Sequence, residues 1–300
     1  MMSAVNEVST PGGPVRRLAG VLHRRPGLRL SALLAAPLLW LVVAYLGALG
    51  ALLLSAFWTT NVFTGDVVKR FNTQNFHDLL TDEVYRRIAL RSIGVAALVT
   101  VVDAVIAFPM AFCMAKLASP RTQRWLVIAI LTPLWASYLV KAYAWRVMLS
   151  GDGLLHWALA PLGLSGPGYG LTAVIITLAY LWLPYMILPI YAGLERLPNS
   201  LLDASADLGA SAFRTFRTVI WPVAFPAVVA GSIFTFSLSL GDFISVKIVG
   251  GKSQLIGNVV YDNIGAANNL PFAAAVATVP VAVMVIYLVA VRRTGALENL

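Results

Sequence analysis

Long apolar runs separated by short polar stretches make up most of the chain. A membrane-spanning helix needs about 20 mostly apolar residues, and the runs of this length are 31–56, 88–115, 125–149, 171–193, 222–248 and 271–291. The third and fifth runs contain charged residues and give the weaker hydropathy signal. The pattern predicts an all-α membrane protein with six transmembrane helices. Kinks are expected at the prolines inside the runs, Pro109, Pro133, Pro184 and Pro189.

The composition also indicates a membrane protein. Of the 300 residues, 59% are hydrophobic and 12% are charged, which leaves too little polar surface for a soluble domain of this size. The single cysteine, Cys113, excludes an intrachain disulfide and is expected to be buried in its apolar run. The histidines, His23, His77 and His156, are scattered over different loops, which argues against a membrane enzyme. No catalytic, cofactor-binding or metal site is predicted.

The basic residues predict the orientation of the chain. An even number of spans places both termini on one side, together with the loops at 116–124 and 194–221, and this side carries most of the lysines and arginines. The positive-inside rule therefore predicts cytoplasmic termini and accounts for the net charge of +9 without a nucleic-acid partner. Residues 1–30, rich in Pro, Gly and Arg, are predicted to form a disordered tail before a six-helix domain over 31–300.

The longest loop on the predicted cytoplasmic side, residues 194–221, carries signals for two short helices. Ser200 with Asp203 has the spacing of a capping box, Gly209 can stop the first helix, and Ser211 can cap the second. A following proline, Pro222, can open the fifth span. The predicted helix–turn–helix presents apolar residues that either a groove on a partner or the lipid headgroups would cover.

This loop resembles the EAA loop of binding-protein-dependent ABC importer permeases. That loop reads roughly E-A-A, three residues, Gly, nine residues and I-x-L-P. Asp203, Ala204 and Ser205 stand at the E-A-A positions, Gly209 matches at the same offset, and residues 219–222 stand for I-x-L-P. Four positions depart, with Asp for Glu, Ser for Ala, Val for Ile and Trp for Leu, and each keeps the acidic, small or apolar character.

The resemblance extends over most of residues 85–300. The segments 133–149, 240–251 and 256–275 and the final GALENL look like the spermidine/putrescine-type branch, and most like its first permease subunit. The resemblance implies a type I ABC importer permease fold in a bacterial inner membrane and a polyamine cargo such as spermidine or putrescine.

The resemblance also implies partners. Two cytoplasmic ATPase subunits would bind ATP and Mg²⁺ and dock on the 194–221 loop, so no cofactor is expected in this chain. A second, homologous permease would complete the pathway, and an extracellular or periplasmic binding protein would deliver cargo. Gly209 would shape the docking turn, Asp203 would cap the coupling helix and meet the ATPase, and Ala204, Ser205 and Pro222 complete the coupling set.

Charged residues inside a membrane are costly unless they face a cavity or a partner. The candidate path residues are Asp103, Trp135, Tyr138, Lys141, Trp182, Ser239 and Asp242. Asp242 and Lys141 either form a structural ion pair or line a path on which Asp242 and the aromatic rings meet a cationic cargo. Asp103 is expected to pack against a neighbouring helix in preference to contacting cargo.

Other functions fit parts of the pattern. The same importer architecture could carry iron, thiamine, sulfate or an amino-acid derivative, since cargo choice in such importers lies largely in the binding protein. Asp242 indicates a cation only weakly, because Lys141 and Lys247 are near it in the predicted arrangement. A passive channel would conduct without an ATPase, and a membrane enzyme would need clustered polar residues at one membrane surface.

Overall fold

The computed structural model describes residues 26–61, 64–163 and 165–295, and this part of the chain is helical apart from one short hairpin. In the hairpin, β1 (Thr59–Thr60) pairs antiparallel with β2 (Val67–Val68). The helices are α1 (Pro26–Trp40), α2 (Gly47–Ser55), α3 (Gln74–Thr81), α4 (Glu83–Phe112), α5 (Pro120–Trp135), α6 (Tyr138–Leu149), α7 (Leu154–Leu159), α8 (Leu171–Glu195), α9 (Asn199–Asp207), α10 (Ala212–Thr215), α11 (Trp221–Leu240), α12 (Ile244–Val249), α13 (Ile256–Ile264) and α14 (Leu270–Val291).

Short turns of π or 3₁₀ helix extend several of these helices. A π-helical stretch, Leu41–Leu46, joins α1 to α2, another, Cys113–Leu117, prolongs α4, and a third, Phe216–Ile220, joins α10 to α11. The 3₁₀ turns Ala160–Leu162 and Arg292–Thr294 follow α7 and α14. Helices that continue through such turns are longer than their α-helical bounds.

The prediction of an all-helical protein with about six spans is confirmed. Five helical segments in the described part of the chain are long and apolar enough to cross a membrane: Leu33–Ser55, Glu83–Leu117, Leu171–Glu195, Ala212–Leu240 and Leu270–Thr294. A sixth candidate span is the pair α5 and α6, whose axes differ by 94°. The cytoplasmic position of the termini stays a prediction.

Two predicted spans are not the continuous helices that hydropathy suggests. The run 125–149 is broken after Trp135, because Ala136 and Ser137 have ψ angles of 140° and 138° and so leave the helical conformation. Pro133 lies just before this break. In the run 222–248, the long helix α11 ends at Leu240 and the short helix α12 begins at Ile244. Of the four prolines expected to cause kinks, Pro133 alone lies within three residues of a break in the described helices.

Helices α4, α8 and α11 pack together as the centre of the unit that begins at Ser55. One apolar cluster near the start of α8 includes Val99, Val174 and Leu178, and a second near its end includes Met186 and Ile190. Small residues permit close helix packing in membranes. A methyl group on Gly231 would lie 2.8 Å from Met186 Sδ, so α8 and α11 approach closely there.

The first span falls in a separate compact unit, residues 1–54. Leu38, Trp40 and Tyr45 are exposed along it, as expected for a helix that faces lipid. Helix α1 begins at Pro26, while the rest of the predicted N-terminal tail lies outside the described residues. Cys113 is exposed, so the prediction that it is buried is wrong. It lies in the π-helical end of α4, where the second apolar cluster covers the opposite face.

Candidate functional site

The breaks in two helices meet at one hydrogen-bonded cluster. The hydroxyl of Tyr138, the first residue of α6, donates a hydrogen bond to the carboxylate of Asp242. Asp242 lies in the break between α11 and α12. The Tyr138 hydroxyl also lies 2.6 Å from Ser245 Oγ. Discontinuous membrane helices frequently form substrate sites in transporters, because an irregular backbone is stable at membrane depth only beside protein or a cavity.

The short helix α12 depends on the same carboxylate. Asp242 Oδ1 accepts a hydrogen bond of 2.9 Å from the backbone N–H of Ser245, in the first turn of α12. Ser245 Oγ lies 3.4 Å from Asp242 Oδ2. A carboxylate has about four acceptor positions, so Asp242 keeps acceptor capacity after these contacts although only 8% of its surface is exposed.

An aromatic wall stands beside this carboxylate. The rings of Tyr138 and Trp182 stack with centroids 5.9 Å apart and planes 23° apart. The ring of Tyr185 also packs edge-on against Trp182, with centroids 5.9 Å apart. Tyr138, Trp182, Asp242 and Phe243 line one cavity of about 320 Å³. A buried carboxylate next to aromatic faces is an arrangement that favours an ammonium group. We call Tyr138, Trp182, Asp242 and Ser245 the break site.

Of the two alternatives for Asp242 and Lys141, the structural ion pair is not formed. No salt bridge joins them within the described residues, and the carboxylate is instead hydrogen-bonded to Tyr138 and to the backbone of Ser245. Lys141 lies one turn further along α6 and is half-buried. The nearby Lys247, which the sequence also places in the fifth span, instead pairs with Asp262 at 2.6 Å.

The remaining path candidates do not line the cavity. Trp135 ends α5 and is 93% exposed, and Asp103 is completely buried in α4 with no hydrogen-bond partner for either carboxylate oxygen in the described structure. Ser239 Oγ is also buried without a described partner, as is Trp182 Nε1. The structure thus brings together Asp242, Tyr138 and Trp182 of the predicted set. Asp103, Trp135 and the Ser239 hydroxyl do not join them, although the backbone carbonyl of Ser239 accepts from the N–H of Asp242 at 3.4 Å.

Ser245, a residue of the break site, and Phe243, which lines the same cavity, are not predicted by the sequence analysis. The stretch Gly241–Ser245 reads GDFIS, with an acidic residue three positions before Ser245. A Gly followed by Asp at the start of a short apolar stretch is a helix stop and a new helix start. The GD dipeptide therefore marks the break, although the residues on both sides of it are apolar enough to resemble one continuous span.

The 194–221 loop folds as two short helices around a left-handed turn. Gly209 has φ of +70°, which confirms the predicted helix stop. The N–H of Gly209 donates to Ala206 O at 2.8 Å, and the N–H of Ala210 donates to Ser205 O at 3.1 Å. These two bonds form a Schellman motif. Ser211 caps α10 as predicted, by accepting from the N–H of Arg214, and Pro222 lies in the first turn of α11.

The predicted capping box at the start of this loop is not formed. Helix α9 begins at Asn199 with Pro198 at its N-cap position, so Ser200 and Asp203 both lie inside the helix. Lys116 donates to Leu197 O at 2.5 Å and to Asn199 Oδ1 at 3.2 Å, and so orders the backbone at the entrance to the helix. The expected capping role of Asp203 is therefore wrong, and its side chain is exposed.

Two kinds of surface occur on this loop. Ser205 is buried and its hydroxyl lies 2.8 Å from Thr215 Oγ1, which joins α9 to α10. On the outside, Leu208 is 87% exposed and Phe213 is also exposed. The loop is tied to the spans through Phe216, whose ring packs edge-on against Phe108 of α4 at 5.5 Å. Packed side chains therefore connect this loop to α4 and α11.

Comparison with known proteins defines the class of this protein. Residues 97–293 match the model of the family described as binding-protein-dependent transport system inner membrane component. The chain belongs to this family, as the EAA-like loop predicts, and is a multi-pass ABC importer permease subunit. Permeases of this family are non-catalytic transport subunits, so the prediction that the chain is not an enzyme is confirmed.

Individual relatives within this family are also permease subunits of ABC transporters. The chain is 43% identical to the inner membrane ABC transporter permease protein YdcU of Escherichia coli (strain K12), over 99% of this chain and 100% of that protein. It is 33% identical to the spermidine/putrescine transport system permease protein PotB of Haemophilus influenzae, over 75% of this chain and 80% of that protein.

Solved structures support the fold. A bacterial ABC transporter that imports the acidic polysaccharide alginate superposes with a TM-score of 0.69 at 14% identity, over 92% of this chain and 99% of that chain. The MetNI methionine ABC transporter in an inward-facing conformation gives a TM-score of 0.51 at 18% identity, over 71% of this chain and 97% of that chain. The type I importer permease fold predicted from the resemblance is confirmed.

Proposed function

We propose that this chain forms half of the membrane pathway of an ATP-driven importer for a polyamine such as spermidine or putrescine. A second, homologous permease would form the other half, two cytoplasmic ATPase subunits would bind ATP and Mg²⁺, and a periplasmic binding protein would deliver the cargo. Relatives that are named spermidine/putrescine permeases support the cargo class. The observation that carries the proposal is the carboxylate of Asp242 beside the stacked rings of Tyr138 and Trp182.

A cationic amine suits this site in charge and in shape. One ammonium group can donate to the free acceptor capacity of Asp242 and lie against the face of Trp182. Tyr138 and Ser245 keep the carboxylate hydrogen-bonded when cargo leaves, which limits the cost of the empty state. A site that holds its own charge in this way binds cargo transiently, as transport requires.

The 194–221 loop is the proposed link to the ATPase. Its exposed Leu208 and Phe213 offer an apolar face for a groove on the ATPase surface, and Asp203 lies exposed on α9. Contacts with α4 through Phe216 and Lys116 would pass a movement of the loop to the spans. The break site lies on α6, α8 and the end of α11, so a shift of α11 against α6 would open the Tyr138–Asp242 contact.

The test uses the complex of this chain with its neighbouring permease, ATPase and binding protein in lipid. ATP hydrolysis is measured with the binding protein empty, loaded with spermidine and loaded with putrescine. Stimulation by a polyamine-loaded protein that is reduced in the Asp242→Asn variant would support both the importer and the cargo. If ATP hydrolysis is stimulated only by binding protein loaded with thiamine, iron, sulfate or an amino-acid derivative, the importer function is supported and the polyamine cargo is rejected. Failure of the complex to retain any ATPase would reject the coupling role of the loop.

A further inference from the structure

A basic pocket lies at the start of α4, at the end of the helix that the charge pattern predicts to face outward. The pocket has a volume of about 300 Å³, and its charged lining residues are Glu83, Arg87, Arg91 and Lys252. Glu83, Arg87 and Arg91 are spaced four residues apart, so they lie on one face of α4. Lys252 reaches the same pocket from the loop after α12.

The charges of this pocket are not balanced inside the chain. Arg87 pairs with Glu83 at 2.6 Å, while Arg91 and Lys252 form no salt bridge within the described residues. Other basic residues at this end of the molecule are engaged: Lys247 pairs with Asp262, and Arg146 donates to Ile248 O at 3.0 Å. The pocket thus holds two convergent, exposed cations and attracts an anion.

The length of α4 and its extension indicates that the pocket lies at the membrane surface. The span Glu83–Leu117 has 35 residues, which at about 1.5 Å per residue is about 52 Å, far longer than a hydrocarbon core of about 30 Å. At the opposite end, Lys116 is hydrogen-bonded to the backbone before α9, and we take this charged residue to mark the edge of the hydrocarbon there. About 20 residues from Lys116 bring the helix to the far edge of the hydrocarbon. Arg91 then lies about 8 Å beyond that edge, in the headgroup layer.

We propose that this pocket binds the phosphate of an anionic phospholipid headgroup. The guanidinium of Arg91 and the ammonium of Lys252 would contact the phosphate oxygens, since Arg donors match phosphate geometry. Val84 and Ile88, which line the same pocket, offer apolar surface for the glycerol and upper acyl chain. A free phosphate ion shares the charge but gains nothing from these apolar residues. Glu83 is neutralised by Arg87 and does not repel the ligand.

The test measures lipid binding to the purified full-length chain by native mass spectrometry, with phosphatidylglycerol and phosphatidylcholine as probes. The variants are Arg91→Gln, Lys252→Gln and the double variant. The matched control is Arg86→Gln, which removes an exposed arginine next to Arg87 that does not line the pocket. A basic residue near an anionic lipid surface contributes about fivefold in affinity. We expect each single variant to lose about that factor for phosphatidylglycerol, and the control to match the wild type.

Several outcomes would overturn the proposal. Equal binding of both lipids by the wild type, or unchanged phosphatidylglycerol binding in the single variants, would remove the headgroup site. Displacement of phosphatidylglycerol by inorganic phosphate at the same concentration would assign the pocket to the soluble anion. Unchanged lipid binding, together with weaker docking of the binding protein, would assign the pocket to acidic residues of that protein. The single variants decide the question if the double variant does not fold.

Discussion

The 194–221 loop and the break site are held together by different kinds of contact. The loop is built from bonds between residues close in sequence, such as Gly209 to Ala206 and Ser205 to Thr215, and its outer face is exposed. The break site joins Tyr138 to Asp242, which are 104 residues apart, and its residues Asp242 and Ser245 are buried. The shape of the loop therefore depends on local contacts, whereas the Tyr138–Asp242 contact depends on how α6 packs against the end of α11.

The largest effect is expected from Gly209→Val, which tests whether the shape of the loop is essential. The φ of +70° disfavours any residue with a Cβ by about 1–2 kcal/mol, and a β-branched residue more. Since nothing lies within 4 Å of a Cβ built on Gly209, the effect would be conformational and not a clash. Cargo uptake by the assembled complex should fall at least about tenfold, while the chain still inserts into the membrane.

The matched control for that substitution is Gly209→Asn. Asparagine also has a side chain but tolerates the left-handed region, so this variant should retain most of the uptake. Equal loss in both variants would mean that the exposed position itself, and not the backbone conformation, matters.

Asp242→Asn tests the break site and should have the second largest effect. The amide oxygen keeps the acceptor for the N–H of Ser245, its NH2 group can donate to the Tyr138 hydroxyl oxygen, and the charge that would bind an ammonium group is lost. Uptake of spermidine should fall about tenfold, because a charge-assisted contact is worth about 1.5–3 kcal/mol. The thermal midpoint of unfolding should stay within a few degrees of the wild type. Normal uptake in this variant would contradict the proposed cargo contact.

Asp103→Asn provides the comparison for this prediction. It neutralises the other buried carboxylate of the spans, which does not line the cavity. Uptake close to that of the wild type is expected, since the loss should depend on the cavity and not on any intramembrane charge. A comparable decrease would extend the path to the interior of α4.

Lys116→Met tests the link between the two regions and should have a smaller effect. Methionine keeps the apolar stem but removes the donors to Leu197 O and Asn199 Oδ1. The lost hydrogen bonds contribute about 1 kcal/mol at this partly exposed position, so uptake should fall a few-fold with ATPase binding retained. Arg124→Gln is the control, because Arg124 bonds only to its own helix at Pro120 O in the described structure. Equal effects would contradict a special role of Lys116.

Ser205→Ala should have the smallest effect. The substitution removes the hydroxyl contact with Thr215 from a site with room for a small side chain. A neutral hydrogen bond contributes about 1 kcal/mol, and α9 gains helix propensity from alanine, so uptake should remain within about twofold of the wild type. Ser205→Leu should disrupt the packing of α9 on α10. If leucine is tolerated as well as alanine, Ser205 does not need to be buried for function.

The sequence by itself determined the membrane class, the approximate spans and most of the 194–221 loop. These features depend on local causes: runs of apolar residues long enough to cross a bilayer, the left-handed preference of Gly209, and the cap at Ser211. The start of α9 was an exception, because Lys116, a residue distant in sequence, orders the backbone there.

Only the tertiary structure decided which polar residues of the spans meet. Hydropathy averages over a whole run and does not register a break of two or three residues, so the runs 125–149 and 222–248 gave no sign of interruption by this measure. The distant partner of Asp242 depended on the packing of α6 against α12, which placed the Tyr138 hydroxyl on the carboxylate and left Lys141 one turn further along α6. Side chains about 100 residues apart are brought together by helix packing, and their spacing in the sequence carries no record of that contact.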